Sequence, residues 1–142
     1  MEPAPGLAET AGCLCLCSRK AARTITRAFD RELRLHGLRA TQFSLLAILE
    51  LKGPQMIGEL ARILSADRTT LTRNLALAQG QGIVRIRAGE DARARVISIT
   101  RKGRNALNKA LPAWRKVQSA LTDSLGIQAA DSLRRLARSA RF

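Results

Sequence analysis

From about Gly12 to His36, apolar positions recur every three or four residues, at Leu14, Cys17, Ala21, Ile25, Ala28, Phe29 and Leu33. That spacing predicts a long amphipathic helix. Its other face carries Arg19, Lys20, Arg23, Arg27, Arg31 and Arg34, and Gly37 is suited to a left-handed cap at its end. Residues 1–11 read as a flexible leader. In TQFSLLAILEL the apolar positions run almost all round, so this helix, with Thr41 as its N-cap, should form the buried centre. Lys52-Gly53-Pro54 stops it. A short helix over about Met56 to Leu64, the turn Ser65-Ala66-Asp67 and a further helix to about Gln81 match a helix-turn-helix, with Asp67 or Ser65 as cap. In the second of these helices Leu71, Leu75 and Ala78 share one side. Arg68, Thr69, Thr70, Arg73 and Asn74 fall largely on the other.

The period then changes from helical to two. Val84-Arg85-Ile86-Arg87 alternates, a Gly-Glu-Asp turn follows, and Val96-Ile97-Ser98-Ile99 is a second β-branched run, together an antiparallel hairpin. Thr100 is placed to cap a last long helix through Leu107, Ala110, Leu111, Trp114, Val117 and Leu121, which Pro112 should bend or loosen. After Gly126, residues 128–141 form a final short amphipathic helix. The expected fold class is mainly α with a small β wing (α+β). Residues 12–36 and 101–142 would form a helical dimerisation region around a DNA-binding domain over 37–100, in one compact protomer.

Charge turns this outline toward a partner. In 142 residues, Lys and Arg number 25 against 11 Asp and Glu, a net charge of +14. Such a balance calls for a polyanion, and Arg is the side chain that forks onto phosphates and guanine edges. Arg85, Arg87, Arg93 and Arg95 flank and tip the hairpin, with Arg101, Lys102 and Arg104 just beyond and only Glu90 and Asp91 opposing them. The hairpin therefore reads as a finger for a nucleic-acid groove. The short hydroxyls, amide and two Arg of the preceding helix are what a helix laid in a major groove offers to bases and phosphates. No apolar run approaches the ~20 residues of a membrane-spanning helix. No basic segment precedes an apolar stretch as in a secretory signal, so a cytoplasmic protein with reduced thiols is expected. One histidine, no Gly-rich phosphate loop and no nucleophile elbow leave nothing from which to assemble an enzyme or a cofactor site.

Across about residues 12–140 the order of elements resembles the MarR family of transcriptional regulators. The pieces that carry the resemblance are Thr41-Gln42-Phe43-Ser44-Leu45-Leu46, DRTTLTRNL at 67–75, Gly82-Ile83-Val84, Asp91-Ala92-Arg93, Ile99-Thr100 and Gly103. It implies a winged helix-turn-helix homodimer that binds a palindromic double-stranded operator, usually as a repressor released by a small ligand. By position, Arg93 matches the wing-tip arginine that enters the minor groove, and Asp91 the acidic residue that holds the wing in shape. The family's ligands are small aromatic or phenolic anions held between dimerisation helices and winged domain; here Phe29, His36, Phe43 and Trp114 are the candidates for such a cleft.

Two alternatives stand beside this reading. Cys15 lines up with the reactive cysteine of the family's organic-peroxide-sensing branch. That branch orients its thiol with tyrosines, whereas this chain has none and carries Arg19 and Phe29 at those positions. Cys13, Cys15 and Cys17 would then serve a redox or soft-metal sensor, or else be small packing residues, and their spacing fits no standard zinc pattern. A non-specific basic nucleic-acid binder would also fit the net charge.

Overall fold

A computed structural model describes residues 3–91 and 93–139. Ala92, within the wing motif, and Arg141, at the expected end of the last helix, lie outside them. Helices α1 (Leu14–Leu33), α2 (Ala40–Lys52), α3 (Ile57–Leu64), α4 (Arg68–Gly80), α5 (Arg101–Leu125) and α6 (Ile127–Ser139) surround a three-stranded antiparallel sheet of β1 (Gln55–Met56), β2 (Val84–Ala88) and β3 (Arg95–Ile99). This is the mainly helical fold with a small wing that the sequence predicts. In the stretch read as a leader, Leu7–Gly12 wind as a 3-10 helix with no buried residue.

The apolar α2 lies at the centre, with Phe43, Leu45, Leu46 and Leu49 all buried, and α1 and α5 packed against it. Its start differs from the expectation. The N-cap is Arg39, in extended backbone, and Thr41 lies inside the first turn. The reason is tertiary: Asp30 of α1 accepts from the Ala40 N–H at 2.8 Å, and the Gln42 amide oxygen accepts from the Arg39 N–H at 3.0 Å. Two of the orphan N–H groups at this helix end are thus satisfied without a hydroxyl at Thr41.

The sheet contains a strand, β1, that ends at Met56, where the sequence pattern predicts the start of a helix. Gln55 and Met56 pair with Ile97 and Val96, so the order is β1-β3-β2 and β3 is central. Val84 faces Ile99 and Ile86 faces Ile97 in the hairpin register, which leaves Ile97 fully buried at the middle of the sheet. Thr100 caps α5 as expected: its hydroxyl accepts from the Gly103 N–H at 3.0 Å and donates to the Gly82 carbonyl at 2.6 Å. α5 runs unbroken through Pro112. The missing N–H falls opposite the carbonyl of Asn108, an exposed residue.

Candidate nucleic-acid interface and adjoining cavity

The helix-turn-helix is α3, a tight turn and α4. Ser65 takes a left-handed conformation (φ 47°), and its N–H bonds back to the Arg62 carbonyl, so α3 ends there. Asp67 then caps α4, its carboxylate accepting from the Thr70 N–H at 3.0 Å and lying 3.3 Å from the Thr70 hydroxyl. Leu71, Leu75 and Ala78 are buried and set the roll of α4; Arg68, Thr69, Thr70 and Arg73 consequently stand exposed. Asp67→Ala is expected to cost about 1 kcal/mol and to fray the first turn of α4. Thermal unfolding with amide exchange at Thr69 and Thr70 checks this, and unchanged exchange would remove the cap from the account.

The fifth residue predicted for this face behaves differently. Asn74 is half-buried and turns toward α1 and α2 rather than lying fully with the exposed set. On α3, Arg62 is paired with Glu59 at 2.5 Å, and that hydrogen bond holds the Glu59 carboxyl below its ordinary range.

The wing joins β2 to β3 through a closed loop. The Gly89 N–H donates to the Ala94 carbonyl at 2.9 Å and the Ala94 N–H to the Asp91 carbonyl at 2.8 Å. The Asp91 carboxylate accepts from the Arg93 N–H at 3.1 Å, an Asx-type turn that fixes the tip. Arg93 is exposed there, and Arg85, Arg87 and Arg95 are exposed along the strands. Of the cations just past the hairpin, Arg104 is engaged by Glu50, its Nε lying 2.9 and 2.8 Å from the two carboxylate oxygens. α4 packs against β2, so helix and wing form one continuous basic structure.

Beside α4 lies a cavity of about 350 Å³. α1 contributes Ile25, Thr26 and Phe29 to its wall, α2 contributes Thr41, Gln42 and Ser44, and α4 contributes Leu71 and Asn74. Of the four cleft residues named from sequence, only Phe29 is on this wall. Trp114 stacks on Phe43 with centroids 5.9 Å apart and on Phe29 at 6.4 Å, filling the space between α2, α5 and α1. His36 stands exposed in a 3-10 turn beyond the end of α1. Sequence reasoning missed Thr26, Thr41, Gln42 and Ser44 as a group, because nothing in their spacing says that α1 and α2 face each other there.

Cys13, Cys15 and Cys17 are free and exposed around the start of α1. His36 is about 30 Å from them along the helix at its ordinary rise. Among the described residues no three His, Cys, Asp or Glu side chains gather closely enough to hold a metal.

Known structures share this architecture. The chain is 45% identical to the transcriptional regulator MosR of Mycobacterium tuberculosis, solved in complex with DNA, over 90% of this chain and 96% of that one, with a TM-score of 0.81. A mutant MarR of Escherichia coli complexed with operator DNA shares the fold at 21% identity, over 88% and 91% of the two chains, with a TM-score of 0.76. The chain belongs to the MarR family of transcriptional regulators. This is a family of regulators, not of enzymes. An uncharacterised HTH-type transcriptional regulator of Bacillus subtilis, YwoH, is 30% identical over 83 residues, 58% of this chain. The match spans 61% of that relative's length. A scan against protein-family models finds no match. As a MarR-family member the chain has its helix-turn-helix in α3 and α4 and its wing in β2 and β3. No helix among the described residues is long and apolar enough to cross a membrane.

Proposed function

We propose that the chain is a cytoplasmic repressor that binds a palindromic double-stranded operator as a homodimer and is released by a small ligand. The observation that carries the reading is α4: its polar N-terminal face is turned outward by three buried apolar residues and stands against an arginine-tipped wing. A helix so presented enters a major groove, with Arg68, Thr69, Thr70 and Arg73 on bases and phosphates, while Arg93 reaches the adjacent minor groove. MosR was solved in complex with DNA, and CouR, 26% identical over 99% of this chain with a TM-score of 0.78, is bound to a 23-mer duplex. Two-fold symmetry of the operator follows from two-fold symmetry of the protein. The dimer is supported by apolar side chains that one protomer leaves open, Leu14 (85% exposed), Leu16 (50%), Ile127 (72%), Leu133 (46%) and Leu136 (50%), on the helices outside the DNA-reading centre. The ligand belongs in the cavity whose wall includes α4 itself.

A second reading is favoured by one observation. Cys13, Cys15 and Cys17 are exposed together at the start of a helix, with Arg19 one turn after Cys15, which is a setting for a thiol switch.

One experiment separates the readings: fluorescence anisotropy with duplex from the protein's own upstream region and a scrambled control. Reduced protein should prefer the former by about 10³-fold or more. Equal, purely salt-dependent affinity for both would leave a non-specific basic binder. Loss of binding on peroxide treatment, with retention in treated Cys15→Ser, would select the thiol switch. Indifference to peroxide leaves release to a small ligand.

A further inference from the structure

We propose that the cavity beside α4 selects an uncharged ligand and rejects the carboxylate of the same shape. The inference rests on the reading of the chain as a ligand-released regulator and concerns the charge of what releases it. The cavity is of a size for a substituted single ring, at the lower end of small-molecule sites. What distinguishes it is the chemistry of its wall. Aliphatic and aromatic surface from Ile25, Phe29 and Leu71 alternates with neutral polar groups, and no described residue on the wall is ionisable.

That absence is unexpected in this chain. With 25 Lys and Arg, and five cations along α1 alone, the chance placement of a cation on the wall would be easy. Instead α1 presents Thr26 there, between the exposed Arg23 and Arg27. An anion seated against this wall would give up part of its hydration without gaining a cation in return, which disfavours the ionised carboxylate relative to a neutral group of the same shape. The phenolic anions implied by the family resemblance therefore do not suit this wall.

The same wall is equipped for a neutral hydrogen-bonding group. The side chains of Thr26, Thr41, Ser44 and Asn74 make no hydrogen bond to any described residue, so their hydroxyls and amide remain available. Gln42 is 6% exposed and fixed: its oxygen accepts from the Arg39 N–H and its Nε2 donates to the Gln81 side chain at 2.8 Å. A second N–H on Gln42 is left over. Hydroxyls, which donate and accept, together with two amides complement a primary amide or an alcohol, which also donates and accepts. A carboxylate offers acceptors alone and leaves the acceptors of the wall unmatched.

The test uses the full chain and a set of single-ring aromatic pairs that differ only in primary amide against carboxylate, beginning with 4-hydroxybenzamide and 4-hydroxybenzoate. Binding is read by titration calorimetry and by fluorescence of Trp114, which stacks on the cavity residue Phe29 and is the sole tryptophan. The amides should bind at least tenfold more tightly than their carboxylates. Thr26→Lys, which places an ammonium group on the wall from an exposed position, should reverse that order. Carboxylates binding as tightly as amides, no amide in the set binding, or a preference unmoved in Thr26→Lys would each overturn the proposal. Duplex selectivity measured on the same preparation keeps the two readings apart. Selective DNA binding without amide binding overturns the neutral site and leaves the regulator, whereas unselective DNA binding overturns the regulator.

Discussion

Arg93→Ala should weaken operator binding by roughly tenfold to a hundredfold while leaving the thermal unfolding of the protein unchanged. The separation of the two effects is what the wing geometry dictates. The Arg93 side chain is exposed and bonds to no other described residue, so truncating it removes nothing that holds the fold together. Its backbone N–H, which Asp91 accepts at 3.1 Å, survives the substitution, and the Asx-type turn stays closed. In the proposed complex what is lost is a cation aimed at the narrow part of a minor groove, where the phosphates of both strands concentrate negative potential. One lost contact costs about 1 kcal/mol or somewhat more, and the proposed symmetric dimer loses it twice. The salt dependence of binding should become shallower as well, by about one ion per wing. Anisotropy over a salt series, beside a thermal melt, reads both quantities. A melt shifted far downward would mean that Arg93 is structural, and unchanged affinity would mean that the wing does not touch DNA.

Much of this interface was legible in the sequence because it is built from local signals. The 3.6-residue spacing of Leu71, Leu75 and Ala78 fixes which side of α4 is buried, and the four exposed residues of its other side follow from it. Alternation at Val84–Arg87 likewise gives a strand with its arginines outward, and the register with β3 agrees. Features that depend on distant partners were not legible. β1 is two residues long, too short to show any period, and exists only because Ile97 and Val96 lie beside it. The start of α2 is set by Asp30, ten residues away, so the hydroxyl of Thr41 was a misleading cue. Asn74 belongs by sequence to the outward set, but the approach of α1 and α2 draws it to the cavity. Of the cleft candidates Phe29, His36, Phe43 and Trp114, the two Phe rings stack on Trp114 and only Phe29 reaches the cavity. Composition reports that aromatics are few; it does not report which of them touch.

The complementary result is expected at Gly103, which is buried in the first turn of α5. A methyl group there would place its carbon 2.1 Å from the Ile83 carbonyl oxygen, and 3.0 Å from the Ile83 carbonyl carbon and the Ile99 Cγ1. The oxygen belongs to backbone and has no side-chain torsion by which to swing aside. That carbonyl already accepts from the Thr100 N–H at 3.2 Å, and the Thr100 hydroxyl bridges the Gly103 N–H to the Gly82 carbonyl. To admit the methyl, the first turn of α5 must move away from the segment that links α4 to β2, and these bonds stretch together. Overpacking and broken buried hydrogen bonds each cost about 1–3 kcal/mol, so Gly103→Ala should lose about 3 kcal/mol or more. For a chain of this size that is a fall in Tm of about 10 °C. The control is Gly58→Ala in α3, where nothing lies within 4 Å of the added carbon. It should raise stability by up to about 1 kcal/mol through its better helix propensity. Equal melting of Gly103→Ala and the wild type would refute the close approach of α5 to Ile83. A destabilised Gly103→Ala should also lose operator affinity at temperatures below its melt, since the wing is hung on that same junction. Arg93→Ala removes the contact and keeps the scaffold; Gly103→Ala keeps the contact residue and moves the scaffold that aims it.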